Sequence, residues 1–132
     1  MTNEVSLEAA AARVAEANSV MLTTHVSPDG DGIGSGLGLV HGLRALGKEA
    51  ALVMSDPVPP YLSFLPGSDE VRSGEPNREH WDVVIGLDCG EWERLGEAVG
   101  DRGLYGTVIN LDHHRSNSRY GDLNVVQPTV SA

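Results

Sequence analysis

The chain has 132 residues, 40% of them hydrophobic and 21% charged, with a formal net charge of -10 and a single cysteine. That is one domain's worth of chain with enough apolar material for a core. The acidity argues against a broad face for long nucleic acid, which needs Lys and Arg to displace counterions. The lone Cys89 excludes an internal disulfide and a multi-cysteine zinc site.

Met1 to Val5 lacks the basic and apolar regions of a signal peptide, and no apolar run is long enough for a bilayer. The expected location is therefore cytoplasmic, with no membrane partner. Ser6 is placed to cap a first helix in which Leu7, Ala11 and Val14 recur at helical spacing. A strand follows over 19–24. A second helix is expected over about 32–46, with Ile33, Leu37 and Val40 on one face and Gly47 closing it. A strand over 50–54 completes a βαβ unit, whose crossover is right-handed by rule.

Residues 56–79 are rich in Pro and Gly, with one short helix expected after Pro59-Pro60 and irregular chain beyond. Strands at 83–87 and 108–111 flank a helix expected over about 91–99, and a last extended piece covers 123–126. The strand runs are continuously apolar, as suits strands covered on both faces. The expected fold is α/β: a mainly parallel sheet with helices on both faces, Rossmann-like, over residues 1–132. The ending Pro128-Thr-Val-Ser-Ala132 has no polar tail and no closing element, so the domain is expected to be incomplete there.

Three of these runs end in ligand-type residues. The first delivers His25 and then Pro28-Asp29-Gly30-Asp31. The second delivers Asp88, and the third Asp112-His113-His114. The carboxyl edge of a parallel sheet is where ligand sites form. Carboxylates and imidazoles gathered there call for a cation, and that mixture suits Mn or Zn better than Mg. A solvated Asp-Gly turn explains the first heptad equally well. Asp88 alone also reads as a helix cap.

Gly30, Gly32, Gly34, Gly36 and Gly38 miss the dinucleotide fingerprint, because Ser35, Leu37, Leu39 and His41 stand where a third glycine would be. They suit close approach of backbone to an anion, with Ser35 as a further donor, or tight helix–sheet packing. Arg115 is either a phosphate ligand or a surface charge. Cys89 reads as a small buried residue, and His41 and His80 as structural.

With those residues in view the chain resembles the DHH phosphoesterase family. The motifs are His25-x-x-Pro28-Asp29-x-Asp31-x-x-x-Ser35, Asp88-Cys89, and Asp112-His113-His114-x-x-Asn117 followed by Tyr120-Gly121-Asp122. The likeness is strongest to the oligoribonuclease (nanoRNase) and pAp-phosphatase branch. It implies two divalent metal ions, Mn preferred and Mg compatible. His25, Asp29 and Asp88 would hold one ion. Asp31, Asp88 and His113 would hold the other, with Asp88 bridging.

By the same resemblance His114 contacts the scissile phosphate and Asp112 supports it as the catalytic pair, while Ser35, Arg115 and Asn117 meet substrate. The substrates implied are short RNA or DNA oligonucleotides and phosphonucleotides such as 3′-phosphoadenosine 5′-phosphate. Cyclic-dinucleotide hydrolysis, or a metal- and nucleotide-binding module without turnover, are the rival functions. The family also carries a further metal-binding Asp beyond position 132 and a DHHA1 domain, so the second metal site is expected to be incomplete here. A homodimer is left open.

Overall fold

The computed structural model describes residues 4–74 and 80–128. The ending at 129–132 and part of the Pro/Gly-rich segment, 75–79, lie outside them. Six strands form one parallel sheet: β1 (Ser19–Thr24), β2 (Glu49–Met54), β3 (Arg72–Ser73), β4 (Trp81–Leu87), β5 (Tyr105–Asp112) and β6 (Leu123–Val126). Their order across the sheet is β3-β2-β1-β4-β5-β6. The chain winds outward from β1 to β3, then returns to lay β4 on the other side of β1. That reversal is the switch point at which open α/β sheets leave a crevice.

Two α-helices cover one face: α1 (Leu7–Glu16) and α2 (Gly30–Ala45). The Ser6 side chain caps α1 by accepting from the Ala9 amide at 3.1 Å. Asp29 caps α2, its Oδ1 accepting from the Gly32 amide at 3.0 Å, so this helix starts two residues earlier than expected. It ends in a Schellman motif: Gly47 at φ +82°, the Gly47 amide bonded to the Arg44 carbonyl, and the Lys48 amide bonded to that of Leu43.

Side chains alternate across the sheet. Val20, Leu22, Val83, Ile85 and Ile109 pack beneath the helices with Ile33, Leu37 and Val40. Met21, Val53, Val84 and Val108 face the other way, onto Leu95, Ala98, Val99 and Tyr105.

The cover of that second face departs from the sequence expectation. Residues 92–98 form 3-10 turns, not an α-helix, because Gly96 sits at φ 74° and ψ -154° and breaks the run. A side chain at position 96 would collide with Ser55 and Val26. The Pro59-Pro60 step likewise starts only a 3-10 turn, Pro60–Leu62. The two-residue edge strand β3 was not foreseen; it is too short to carry a periodic signal. No helix among the described residues is long and apolar enough to cross a membrane.

Candidate metal centre

Parallel registry sets the site. Thr24 pairs with Leu87, and Leu87 with Leu111, so the residues that follow leave the sheet side by side. His25 follows β1, Asp88 follows β4, and Asp112 ends β5. Asp88 takes φ 56°, a left-handed conformation that costs a non-glycine residue on the order of 1–3 kcal/mol. Its amide bonds back to the Leu111 carbonyl at 3.1 Å, which holds the strained turn against β5.

The Asp88 carboxylate lies between two groups of donors. Its Oδ1 is 2.8 Å from His113 Nε2 and its Oδ2 is 3.8 Å from His25 Nε2. On the first side, Asp31 Oδ2 is 3.4 Å from the same His113 nitrogen. On the second, Asp29 Oδ2 is 3.7 Å from His25 Nε2, while its other oxygen caps α2. Ligand atoms of His25, Asp29 and Asp88 fall within 4.8 Å of one another, and so do those of Asp88, Asp112, His113 and His114. Asp88 belongs to both sets. Its reading as a helix cap does not hold, since Glu91 occupies the N-cap position of the following turn and no side chain caps it.

Burial pushes the Asp88 carboxyl above the ordinary aspartate range; the Asp31 and Asp29 charges push it further, and the His113 hydrogen bond pulls against them. Carboxylates crowded in this way are relieved by a proton or by a cation.

The second set differs from the one the resemblance implies, since Asp112 and His114 stand in it. Asp112 is nevertheless already engaged. Its Oδ1 is 2.7 Å from His114 Nδ1 and its Oδ2 accepts from Asn117 Nδ2 at 2.8 Å, with the carboxylate fully buried. A carboxylate can only accept here, so the imidazole proton sits on Nδ1 and Nε2 is left for a ligand.

Asn117 is a correction. Expected at the substrate, it is only 5% exposed and directed inward. It also exchanges amide hydrogen bonds with Asn110, at 2.6 and 3.0 Å, and Asn110 reaches Asn124 at 2.9 Å. This buried amide chain underpins Asp112. Its signal in the sequence was a polar Asn110 inside an apolar strand, which must find partners when buried.

Two clefts flank the centre. The larger, 470 Å³, has Asp31, Asp88 and His113 at its polar end, and Leu39, Leu87, Leu111 and Val125 along its walls. Ser35 lines it, beside Gly34 and Gly38. Nothing lies within 4 Å of where a side chain at either glycine would begin, whereas Gly32 and Gly36 press on Thr24 and Leu52. The packing reading of the glycine run therefore holds on one face of α2, while the opposite face is left open.

The smaller cleft, 290 Å³, is lined by His25, Asp29, Asp88, Gly90, Glu91, Arg94, His114 and Ser116. Arg115 is exposed and lines neither cleft; Arg94, which the sequence reading passed over, lines the second. Cys89 is buried, its Sγ 3.1 Å from the Glu91 carbonyl, and burial raises its pKa, so it is no ready nucleophile.

His41 is 3.3 Å from the Pro66 carbonyl, and His80 is 3.5 Å from the Asp82 carboxylate. Neither histidine lines the two clefts of the centre.

Comparison with known proteins gives the family of the chain. The family profile described as the DHH family, N-terminal domain, matches residues 19–132. A bifunctional oligoribonuclease and PAP phosphatase NrnA of Thermus thermophilus is 44% identical over 113 residues, covering 86% of this chain and 33% of the relative. The protein of that name from Bacillus subtilis is 32% identical over 117 residues, 87% of this chain and 35% of the relative. The crystal structure of an exopolyphosphatase-related protein from Bacteroides fragilis superposes with a TM-score of 0.82 at 26% identity, covering 95% of this chain and 39% of the other. The chain thus spans about a third of the length of the curated relatives it matches.

Proposed function

Because this chain belongs to the DHH family, we propose that it is the metal-holding part of a cytoplasmic phosphoesterase. The substrates proposed are short oligonucleotides and 3′-phosphoadenosine 5′-phosphate, as in the names of the NrnA relatives. The observation that carries this reading is the position of Asp88, which offers one oxygen to each of two imidazole- and carboxylate-bearing groups.

The donor set fits divalent ions, Mn before Mg: oxygens dominate, and the imidazoles add borderline ligands. His25, Asp29 and Asp88 would hold one ion, and Asp31, Asp88 and His113 the other. Bound there, such ions would neutralise phosphate charge and lower the pKa of a water, so that hydroxide is present near neutral pH.

The chain's own residues do the positioning. Asp112 keeps the His114 ring turned with Nε2 outward, where, once protonated, it donates to a phosphoryl oxygen. Asn117 holds Asp112, so the ring does not rotate as charge builds on the phosphate, and prior orientation of such a group is what speeds the reaction. Ser35 and the bare backbone at Gly34 and Gly38 leave room for the substrate chain to approach α2.

The test is a calorimetric Mn titration of this chain and of two variants. Asp88→Ala is expected to lower affinity for both ions, and Asp31→Ala for one. Equal losses from the two variants, or none from Asp88→Ala, would remove the bridging role. Mn-dependent release of mononucleotides from a dinucleotide by the whole protein then tests the activity.

A further inference from the structure

We propose that Arg94 and Ser116 form a phosphate-binding subsite in the smaller cleft, Arg94 gripping the non-bridging oxygens of a substrate phosphate beside His114. The inference rests on the phosphoesterase reading and adds to it a residue that none of the family-like motifs contains.

Three observations converge. First, Arg94 and Ser116 line the same 290 Å³ cleft as His25, Asp29, Asp88 and His114. Arg94 is the one permanently charged cation on that lining. Its acidic neighbours there are Asp29, Asp88 and Glu91, so a phosphate entering without Arg94 would meet mainly carboxylates.

Second, the guanidinium is uncommitted. Arg13 donates to Thr107, Arg44 pairs with Glu70, Arg102 with Asp122, and Arg119 with Glu4. Arg94 makes no side-chain hydrogen bond or ion pair with any of the described residues, although the protein carries a net charge of -10 and acidic partners abound.

Third, the backbone under it is fixed. The Arg94 carbonyl accepts from the Val26 amide at 2.7 Å and its amide donates to Glu91 at 3.1 Å. The next carbonyl, Leu95, accepts from Ser55 Oγ at 2.6 Å. Because the Gly96 kink ends the first 3-10 turn here, the side chain stands at the rim of the centre and not along a continuous helix.

A planar guanidinium with its donors free is suited to bidentate phosphate binding, which a lysine ammonium does not reproduce.

The experiment is a calorimetric titration of the Mn-loaded chain with adenosine 3′,5′-bisphosphate, and in parallel a titration with Mn alone. Arg94→Gln is expected to weaken the bisphosphate roughly ten- to hundredfold, the range for a charge-assisted hydrogen bond, and to leave Mn affinity unchanged. Ser116→Ala is expected to weaken it severalfold, and Arg115→Gln, exposed and outside both clefts, not at all.

Unchanged bisphosphate affinity in Arg94→Gln overturns the subsite, as does a matching loss of Mn affinity, which would make Arg94 a support of the metal centre. A larger loss from Arg115→Gln than from Arg94→Gln also overturns it. Mn bound without any bisphosphate bound sinks this inference and leaves the metal centre standing. A wild-type chain that takes up no Mn sinks both.

Discussion

Strand β4 carries an aspartate at each end, and the fold treats the two in opposite ways. Asp82, the second residue of the strand, accepts from the backbone amides of Asn18 and Ser19 at 2.8 and 3.2 Å. The Asn18 amide is the largest reason its carboxyl lies below the usual range. Asp88, one residue past the other end, is buried among imidazoles and further carboxylates, and burial lifts its carboxyl above that range. Amide donors make an aspartate a clip that is complete without a ligand. Burial beside other acceptors makes one that a cation completes. The direction of the perturbation thus separates the edge that holds the sheet together from the edge proposed to hold metal.

Asp88→Asn is the most severe way to break this contrast. It removes the carboxylate shared by both donor groups, so Mn affinity is expected to fall at least about a hundredfold, since even outer partners of metal ligands cost 10–100-fold. The metal-free variant should nonetheless be more stable than the metal-free wild type at neutral pH. A carboxyl with a raised folded-state pKa contributes stability that is fully present below its unfolded pKa and is lost as pH rises through the folded value. The stability gap between Asp88→Asn and wild type should therefore open as pH rises from about 4 toward neutrality. Thermal melts of both proteins in chelator across that range read it. A gap that stays constant with pH would contradict the raised carboxyl.

The same edge makes a finer division between two adjacent imidazoles, whose ring centroids are 4.7 Å apart. His113 faces Asp88 and Asp31, whereas His114 is tied to Asp112. His113→Ala is expected to lower Mn affinity and activity together. His114→Ala should keep the metal and slow turnover of the whole protein on the order of 10²–10³, the cost of one lost transition-state hydrogen bond in such a site. A His114→Ala protein that loses its metal, or that works at full rate in saturating Mn, would mean that the two imidazoles are wrongly assigned.

Asn117 extends the comparison into the interior. Asn117→Ala strips Asp112 Oδ2 and both amide contacts of Asn110, and each buried polar group left unpaired costs about 1–3 kcal/mol. Denaturant unfolding should show that loss. Long-range ¹⁵N spectra of the His114 ring should show in addition that the Nδ1-protonated tautomer is no longer dominant. Destabilisation with that tautomer intact would reduce Asn117 to a packing role.

The strands, the two α-helices and the edge that gathers Asp and His were legible in the sequence because each has a local signature: apolar runs of strand length, Ser6 as a start signal and Gly47 as a stop signal, and Asp or His directly after a run. What was not legible was set across the chain. The turns at 92–98 depend on Gly96 meeting Ser55 and Val26, which are distant in sequence. Asn117 looked like a ligand residue because it follows the histidine pair, but its direction is dictated by Asn110 and Asn124 beneath it. Arg115 and Arg94 are equally basic on paper. Only the turn geometry decides which of them meets the cleft.

Asp82→Ala probes the opposite end of β4, and its expected effect is the smallest. The carboxylate is partly exposed, at 32%, and water can replace it at the Asn18 amide, so the loss should be about 1 kcal/mol at neutral pH. Its pH dependence should be the reverse of that for Asp88. A carboxyl with a lowered folded-state pKa contributes stability present above its unfolded pKa and lost as pH falls through the folded value. The deficit of Asp82→Ala should hold from neutral pH down to about 5, then close below about 4 as the wild-type clip takes up its proton. Mn affinity should not change, since Asp82 lines neither cleft of the metal centre. Urea unfolding of both proteins at stepped pH gives the measurement. A deficit that widens toward acid would give both aspartates the same sign and abolish the contrast between the two edges.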